Sequence, residues 1–290
     1  MVESISVIGL GNMGSALARA LAAADKTVVC WTRSAERRAN TAGFHDVRQT
    51  AAEAINASPV IVLCIANFEA SMALLGEPGI AGALAGRTLI QLTSETPDEA
   101  EAFSQAASAK GIVVLDGAIA TMPSGIGRPD GVIYYSGAKD VFDRELHNLR
   151  SMSGRPVYCG ARAKDASIMD MAWLSFFYGS VLGLVQGIAT CKSSTMDPSI
   201  FLQSAPSYLM EIAAVAKDLE RQTRLNNFKG DQATNRVHLA GAEQLLAFAD
   251  EIGLNTALPA ASVEILRRTV EAGHADEEVA VAAKVVAGVA

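Results

Sequence analysis

A glycine-rich loop between a strand and a helix is the feature that most constrains this chain. The opening segment SISVIGLGNMGSALARAL contains a short apolar run over residues 4–8, a G-x-G-x-x-G pattern, and then apolar residues at helical spacing. Gly9 permits a tight turn, Gly11 lets the backbone approach a pyrophosphate, and Gly14 allows the helix to pack closely on the strand. The alternative is a tight turn that binds nothing. The loop residues predicted to contact a dinucleotide are Gly9, Leu10, Gly11, Asn12, Met13 and Gly14.

Strands and helices alternate as far as residue 160. The runs TVVCW, VIVLCI and TLIQLT are continuous and apolar, as in strands that a parallel sheet buries, and IVVLDGAIA, GVIYYSG and VYCG add further strands. After Gly160 the pattern is helical only, over about 163–192, 197–224, 232–252, 259–272 and 276–288. The sequence therefore predicts an α/β fold, with an N-terminal Rossmann domain (1–160), a long interdomain helix (161–192) and an all-helical C-terminal domain (193–290).

The end of the second predicted strand indicates which dinucleotide is bound. An NAD site places Asp or Glu about 20 residues after the glycine loop, where it accepts from the ribose 2′-hydroxyl. This chain has Thr32, Arg33 and Ser34 there, and Arg37 follows. A guanidinium can pair with a 2′-phosphate, and the hydroxyls can donate to it. These four residues are predicted to bind NADPH, although Arg33 could instead be a solvated surface charge.

Composition excludes several classes of function. The net charge of -7 disfavours nucleic acid as a partner. The four cysteines, scattered without a C-x-x-C pair, are interpreted as buried reduced thiols, and no metal site is predicted. The apolar stretch 167–183 approaches the length of a membrane span, but Asp170, Ser175 and Gln186 interrupt the helix that contains it. We therefore expect a buried interface helix, no membrane partner and a cytoplasmic protein.

Several segments together carry a resemblance to a known family. GLGNMGSALARAL, WTRS, LTSETPDEA, LDGAIATMPSGIGRPDGVIYYSG and the helix SIMDMAWLSFFYGSVLG occur in the order found in imine reductases and reductive aminases, within the β-hydroxyacid dehydrogenase superfamily. The resemblance implies an NADPH-binding Rossmann domain and a homodimer that exchanges helices. It also implies that each active site lies between the Rossmann domain of one subunit and the helical domain of the other.

Asp170 is the candidate catalytic residue that this resemblance identifies. β-Hydroxyacid dehydrogenases carry a catalytic Lys at this position and an amide residue one turn later, where this chain has Leu174. An iminium substrate is already positive, so a carboxyl group can donate a proton to it or stabilise its charge. The replacement favours reduction of C=N bonds over oxidation of alcohols. The alternative is a structural carboxylate bonded to a neighbouring Arg or to the backbone.

Tyr178 is the second candidate catalytic residue. Eight residues along a helix correspond to about 12 Å and a rotation of about 80°, so Tyr178 shares a face with Asp170 without touching it. The resemblance also implies cofactor contacts from Thr93 and Ser94, and Ser94 departs from the Asn of reductive aminases. Similarly, His238 stands where Gln is usual, whereas His45, His147 and His274 are expected to be solvated. The predicted substrate pocket comprises Met122, Pro123, Ile126, Leu174 and His238.

The predicted function is NADPH-dependent reduction of an imine, most simply a cyclic one, by hydride transfer. One alternative is a β-hydroxyacid dehydrogenase acting on a small hydroxy acid or semialdehyde. Such an enzyme needs a cationic pocket, and Lys164, six residues before Asp170, should point elsewhere on the helix. A further alternative is a sensor that binds NADP(H) and transfers no hydride.

Overall fold

The computed structural model describes residues 4–39 and 46–288, so His45 lies outside the described residues. The chain divides into two units, Met1–Phe176 and Phe177–Ala290. The first unit is α/β and the second is helical, as the sequence predicts. The division falls inside one long helix, α8 (Lys164–Ser193).

The first unit contains one eight-stranded sheet in the order β3-β2-β1-β4-β5-β6-β7-β8. Neighbouring strands are parallel except β6 and β7, which are antiparallel. The strand order reverses between β1 and β4, the kind of point at which open α/β sheets bind ligands. The strands are β1 (Ser4–Ile8), β2 (Thr27–Trp31), β3 (Asp46–Val47), β4 (Val60–Leu63), β5 (Thr88–Gln91), β6 (Val113–Ile119), β7 (Val132–Gly137) and β8 (Arg155–Gly160).

Helices cover both faces of this sheet and enclose two separate cores. Ile5 and Val7 of β1 belong to the core shared with α1 and α7, whereas Ile8 belongs to the core shared with α3, α4, α5 and α6. This division follows from the two-residue alternation of side chains along a strand. The helices are α1 (Asn12–Ala23), α2 (Ala35–Ala39), α3 (Ala51–Asn56), α4 (Phe68–Gly76), α5 (Ile80–Leu84), α6 (Pro97–Ser108) and α7 (Lys139–Met152).

Side-chain caps fix the starts of several helices. Thr96 accepts from the backbone N–H of Glu99 at 3.4 Å, and the Glu99 carboxylate accepts from the N–H of Thr96 at 2.7 Å. This capping box satisfies two backbone donors at the start of α6. It therefore fixes the turn that leads out of β5.

The second unit contains the end of α8, then α9 (Pro198–Leu225), α10 (Asn235–Glu251), α11 (Ala257–Thr269) and α12 (Ala282–Val286). The predicted helix over 276–288 is wrong in extent. A π-helical turn (Val270–His274) contains the left-handed Gly273, and Glu277 and Glu278 then form short bridges with Lys229 and Thr234. The buried Asn235 amide donates to the carbonyls of His274, Glu277 and Glu278, which holds that segment out of a helix.

The remaining sequence expectations concern cysteines, histidines and the long helix. All four cysteines are free thiols, but only Cys30 is fully buried, so the expectation of burial is wrong for Cys64, Cys159 and Cys191. His147 is exposed, whereas His274 is half-buried, with Nδ1 against the Glu277 carboxylate, so the expectation that it is solvated is wrong.

Within the described residues, α8 alone is long and apolar enough to cross a membrane. One such helix is a weak indication, because the core helix of a soluble protein meets the same criteria.

Candidate functional site

The glycine loop lies between β1 and α1, and steric contacts require two of its glycines. Gly9 has a φ of +108°, and a Cβ there would lie 2.0 Å from the carbonyl oxygen of Cys64. A Cβ on Gly14 would lie 2.0 Å from the carbonyl oxygen of Gly9. Gly11 differs, because the nearest atom to a Cβ there is Nη1 of Arg37 at 3.8 Å. Its bare backbone faces open space, which fits the close approach of a pyrophosphate.

The N-terminus of α1 supplies backbone donors beside this loop. Gly11 is the N-cap residue and provides no side-chain cap. The first N–H groups of a helix have no partner within the helix, and the helix dipole places partial positive charge there. The loop and the helix end together form an arrangement suited to an anion.

The loop after β2 is held in place by Arg38. Nη1 of Arg38 donates to the carbonyl oxygens of Thr32 at 2.6 Å and Arg33 at 2.8 Å. Ser34 Oγ accepts from the N–H of Arg37 at 3.2 Å. The Arg33 side chain is exposed, so it is accessible to a ligand. Arg38 therefore fixes the backbone that presents Thr32 and Arg33.

These elements enclose a cavity of about 620 Å³, a volume typical of ligand sites. It contains every predicted cofactor residue except Thr93 and Ser94. Sequence reasoning missed the wall that follows β4, although the parallel pairing of β1 with β4 brings their carboxyl ends together. It also missed two carboxylates that line the cavity, those of Glu36 and Glu77. The additional lining residues are Trp31, Glu36, Cys64, Ile65, Ala66, Ala70, Ala73, Leu74 and Glu77.

Thr93 and Ser94 follow β5 and behave differently from each other. Thr93 is buried, and its Oγ1 accepts from the backbone N–H of Ile65 at 3.1 Å. Ser94 is exposed. Thr93 thus supports a wall residue of the cavity, and neither side chain lines the cavity itself.

Asp170 lies in the part of α8 that belongs to the first unit, and it is 9% exposed. Ser136 Oγ of β7 donates to the carbonyl of Ala163 at 2.5 Å and accepts from the N–H of Ala166 at 3.0 Å, which fixes the start of α8 on the sheet. Asp170 lies one turn after Ala166. No residue in the described parts of the chain forms an ion pair or hydrogen bond with the Asp170 carboxyl group, and burial raises its pKa above the ordinary value.

Tyr134 is a neighbour of this carboxyl group that sequence reasoning missed. Burial raises the pKa of the Tyr134 hydroxyl, and the charges of Cys159 and Asp170 add to that effect. Tyr134 is on β7, two residues before the serine that holds the start of α8. Its position could have been suspected only from the pairing of β7 with β8.

The remaining predicted site residues lie elsewhere. Leu174 is half-buried on α8, whereas Tyr178 (57% exposed) and the half-buried His238 belong to the second unit. Pro123 begins a short 3₁₀ turn and Ile126 follows it, and both line a groove against α1, outside the 620 Å³ cavity. Met122 precedes that turn and is exposed. The predictions for these residues remain predictions.

The sheet order, the glycine loop and the cavity at the carboxyl ends of β1, β2 and β4 define a dinucleotide-binding protein of the Rossmann class. Residues 4–160 match the family described as the NAD binding domain of 6-phosphogluconate dehydrogenase. Residues 163–288 match the NADPH-dependent reductive aminase-like C-terminal domain. The chain belongs to the imine reductase and reductive aminase family, with an NAD-binding domain of the 6-phosphogluconate dehydrogenase type.

Individual relatives agree with both matches over nearly the whole length. The NADPH-dependent reductive aminase of Aspergillus oryzae is 27% identical, over 96% of this chain and 95% of its own. The imine reductase of Myxococcus stipitatus, solved with NADP⁺, has a TM-score of 0.87 and 27% identity, covering 98% of this chain and 99% of that one. The reductive aminase of Aspergillus terreus, solved with NADPH4, cyclohexanone and allyl amine, has a TM-score of 0.86 and 25% identity, covering 99% and 100%.

Proposed function

We propose that this chain is an NADPH-dependent oxidoreductase that reduces imines to amines. The observation that carries the proposal is the buried carboxyl group of Asp170, which has no cationic partner in the described parts of a chain whose two halves match this family. An acid without a cation suits a positive C=N substrate better than a neutral carbonyl group. The alternative of a β-hydroxyacid dehydrogenase is not favoured, because the relatives are reductive aminases and imine reductases.

The cavity fits the dinucleotide in its shape and in its donors. Gly11 and the N-terminus of α1 would hold the pyrophosphate. Arg33 and Arg37, with Thr32 and Ser34, would hold the 2′-phosphate that distinguishes NADPH from NADH. When bound, the reduced nicotinamide supplies the hydride. Relatives solved with NADP⁺ and NADPH support this choice of cofactor.

Asp170 would act on the substrate nitrogen, as a proton donor or as a counter-charge. Reduction adds a hydride to the imine carbon and a proton to the imine nitrogen, so the site needs a proton donor. Burial keeps the Asp170 carboxyl group protonated to a higher pH than an exposed aspartate, which suits that role. Once ionised, the same group would balance the positive charge of an iminium ion. We propose Tyr178 as a second catalytic group that orients the substrate.

We propose that the substrate pocket is completed by apolar residues and one histidine, which exclude water from the iminium carbon. They are Met122, Pro123, Ile126, Leu174 and His238. We also propose that α8 (Lys164–Ser193), which the sequence predicts over 161–192, is the interdomain helix. Thr93 and Ser94 would support the nicotinamide side of the cofactor site.

We further propose a homodimer that exchanges helices. The second unit exposes many large apolar side chains along α8 and α9, including Leu182, Ile200 and Met210. Monomeric proteins rarely expose contiguous apolar surface on this scale. Light scattering after size-exclusion chromatography should give twice the chain mass of 30.3 kDa. A monomer at micromolar concentration would contradict the proposal.

We infer a soluble, cytoplasmic enzyme with no nucleic-acid partner, in line with the net charge of -7.

The proposed activity is tested with a cyclic imine. Incubation with 2-methyl-1-pyrroline should consume NADPH, and the KM for NADPH should be lower than that for NADH. Chiral analysis of the amine would establish the stereochemistry. NADPH binding without turnover on any of a panel of cyclic imines would contradict the proposal and favour a non-catalytic binding protein.

Arg33→Ala provides the matched control for cofactor choice. Loss of a charge-assisted hydrogen bond costs about 1.5–3 kcal/mol, so the KM for NADPH should rise by roughly tenfold or more. The KM for NADH should change little, since NADH lacks the 2′-phosphate. An equal loss with both cofactors would show that Arg33 does not contact that phosphate.

A further inference from the structure

Two further carboxyl groups are buried in the first unit. Glu95, in the turn between β5 and α6, is 8% exposed, and Asp116 on β6 is 2% exposed. Strand pairing places Asp116 opposite Gln91 at the end of β5, four residues before Glu95. In the described parts of the chain neither carboxyl group forms an ion pair with Lys, Arg or His.

The surroundings of this pair favour neutral carboxyl groups. The charged groups that face Glu95 are Asp116 from β6 and Glu99 from α6, both acidic. Burial, with the charge of Glu99, raises the pKa of Glu95 to about 7. Burial and the charge of Glu95 raise the pKa of Asp116 well above its ordinary value. Burial therefore favours the protonated form of Asp116, and Glu95 changes its charge near neutral pH.

The surroundings of the pair suit a proton shared between the two carboxyl groups. Glu95 Oε1 and Asp116 Oδ2 are both fully buried, and no donor group in the described residues reaches them. The two side chains are within hydrogen-bonding range of each other, so protonated Asp116 can donate to Glu95. An unpaired buried carboxylate is costly, and the shared proton removes that cost.

A chain of buried hydrogen bonds links the pair to the dinucleotide cavity. Nε2 of Gln91 donates to Glu95 Oε2 at 3.5 Å and to Ser71 Oγ of α4 at 3.2 Å. Oε1 of Gln91 accepts from the N–H of Thr93 at 3.4 Å, and Thr93 Oγ1 accepts from the N–H of Ile65. Ile65 lines the cavity, as do Ala70 and Ala73 of α4.

We propose that Glu95 and Asp116 form a proton-sharing pair that positions the wall of the cofactor cavity, so that NADPH binds most tightly while Glu95 is neutral. The inference rests on the proposed function, since it takes the cavity to hold NADPH. Ionisation of Glu95 adds negative charge behind a site for a polyanion. It also favours movement of Glu95 into solvent, which would break the Gln91 bridge that holds Thr93. Both effects weaken binding as the pH rises.

The test compares the dissociation constant of NADPH, from fluorescence titration, at about pH 6 and about pH 9, on either side of the Glu95 titration. Between these two pH values, the constant of the wild-type protein should rise by roughly fivefold or more relative to that of Glu95→Gln, which lacks the Glu95 carboxyl group. Using the ratio of the two proteins cancels the titration of the NADPH phosphate. Asp98→Asn, which removes an exposed carboxyl group in the first turn of α6, should keep the wild-type pH dependence.

A second measurement needs no variant. Calorimetry of NADPH binding at about pH 8, in buffers of different ionisation enthalpy, should report proton uptake, because a bound anion favours neutral Glu95. Absence of uptake, or the same pH dependence in the wild-type protein and Glu95→Gln, would overturn the inference and leave the proposed function intact. Failure to bind NADPH at either pH would instead overturn the proposed function.

Discussion

Asp170→Ala should lower kcat/KM for imine reduction by about 100- to 10,000-fold, the usual contribution of a positioned proton donor. The variant should fold normally. The raised pKa of Asp170 means that the folded state disfavours the charged carboxylate, so its removal costs no ion pair. NADPH affinity should be unchanged, since Asp170 does not line the dinucleotide cavity.

Two further variants separate charge from shape. Asp170→Asn keeps the volume but lacks an acidic proton, and it should lose activity almost as severely. Asp165→Asn removes a carboxylate from the same helix, one that is paired with Arg162 at 2.6 Å, and it should retain most of the activity. Loss of activity in Asp165→Asn but not in Asp170→Asn would remove Asp170 from its role.

The role of Asp170 as proton donor determines whether kcat rises or falls with pH. Because burial raises the pKa of Asp170, its acidic form persists to higher pH than that of an exposed aspartate. If the acid form donates the proton, kcat falls as the pH rises through that pKa. The fall should vanish in the residual activity of Asp170→Asn. An acidic limb with the opposite slope would indicate that the carboxylate form is the active one.

Much of the fold could be predicted, because its strongest signals are local. The glycine loop after β1, the continuous apolar strands and the 30-residue helix α8 each follow from residues adjacent in sequence. The buried face of helix α7 carries two polar residues, Glu145 and Asn148, among its apolar ones. Glu145 accepts hydrogen bonds from Asn148 and from Thr88, and the Thr88 contact is one of long sequence separation.

The site could be predicted only where one segment supplies it. The G-x-G-x-x-G loop and the WTRS segment each predict dinucleotide binding from adjacent residues, and they line one cavity. The cavity wall beyond Cys64 and the surroundings of Asp170 depend on which strands pair, and a pattern of adjacent residues does not predict that pairing. Glu95 is the clearest case. In LTSETP it looks like a solvated turn residue, yet β6 and α6 bury it beside Asp116.

Gly11→Ala should abolish tight NADPH binding without destabilising the protein. The backbone at Gly11 has φ −70° and ψ −175°, which alanine adopts readily, and the new Cβ meets no atom closer than 3.8 Å. A compatible Gly→Ala change stabilises a protein by about 0.4–1 kcal/mol through the unfolded state. The same methyl group would occupy the path of the pyrophosphate, so the dissociation constant should rise by more than about tenfold, or 1.4 kcal/mol.

Gly14→Ala should have the opposite profile and is the matched comparison. Its Cβ would lie 2.0 Å from a backbone oxygen of Gly9, which cannot move without displacing the loop. Such overpacking typically costs 1–3 kcal/mol, so the melting temperature should fall by several degrees or the protein should fail to fold. Thermal unfolding and NADPH titration on both variants separate the two roles. If Gly11→Ala bound NADPH with wild-type affinity, the cofactor would not pass over Gly11. If Gly14→Ala kept the wild-type melting temperature, the close packing of α1 on the loop would be disproved.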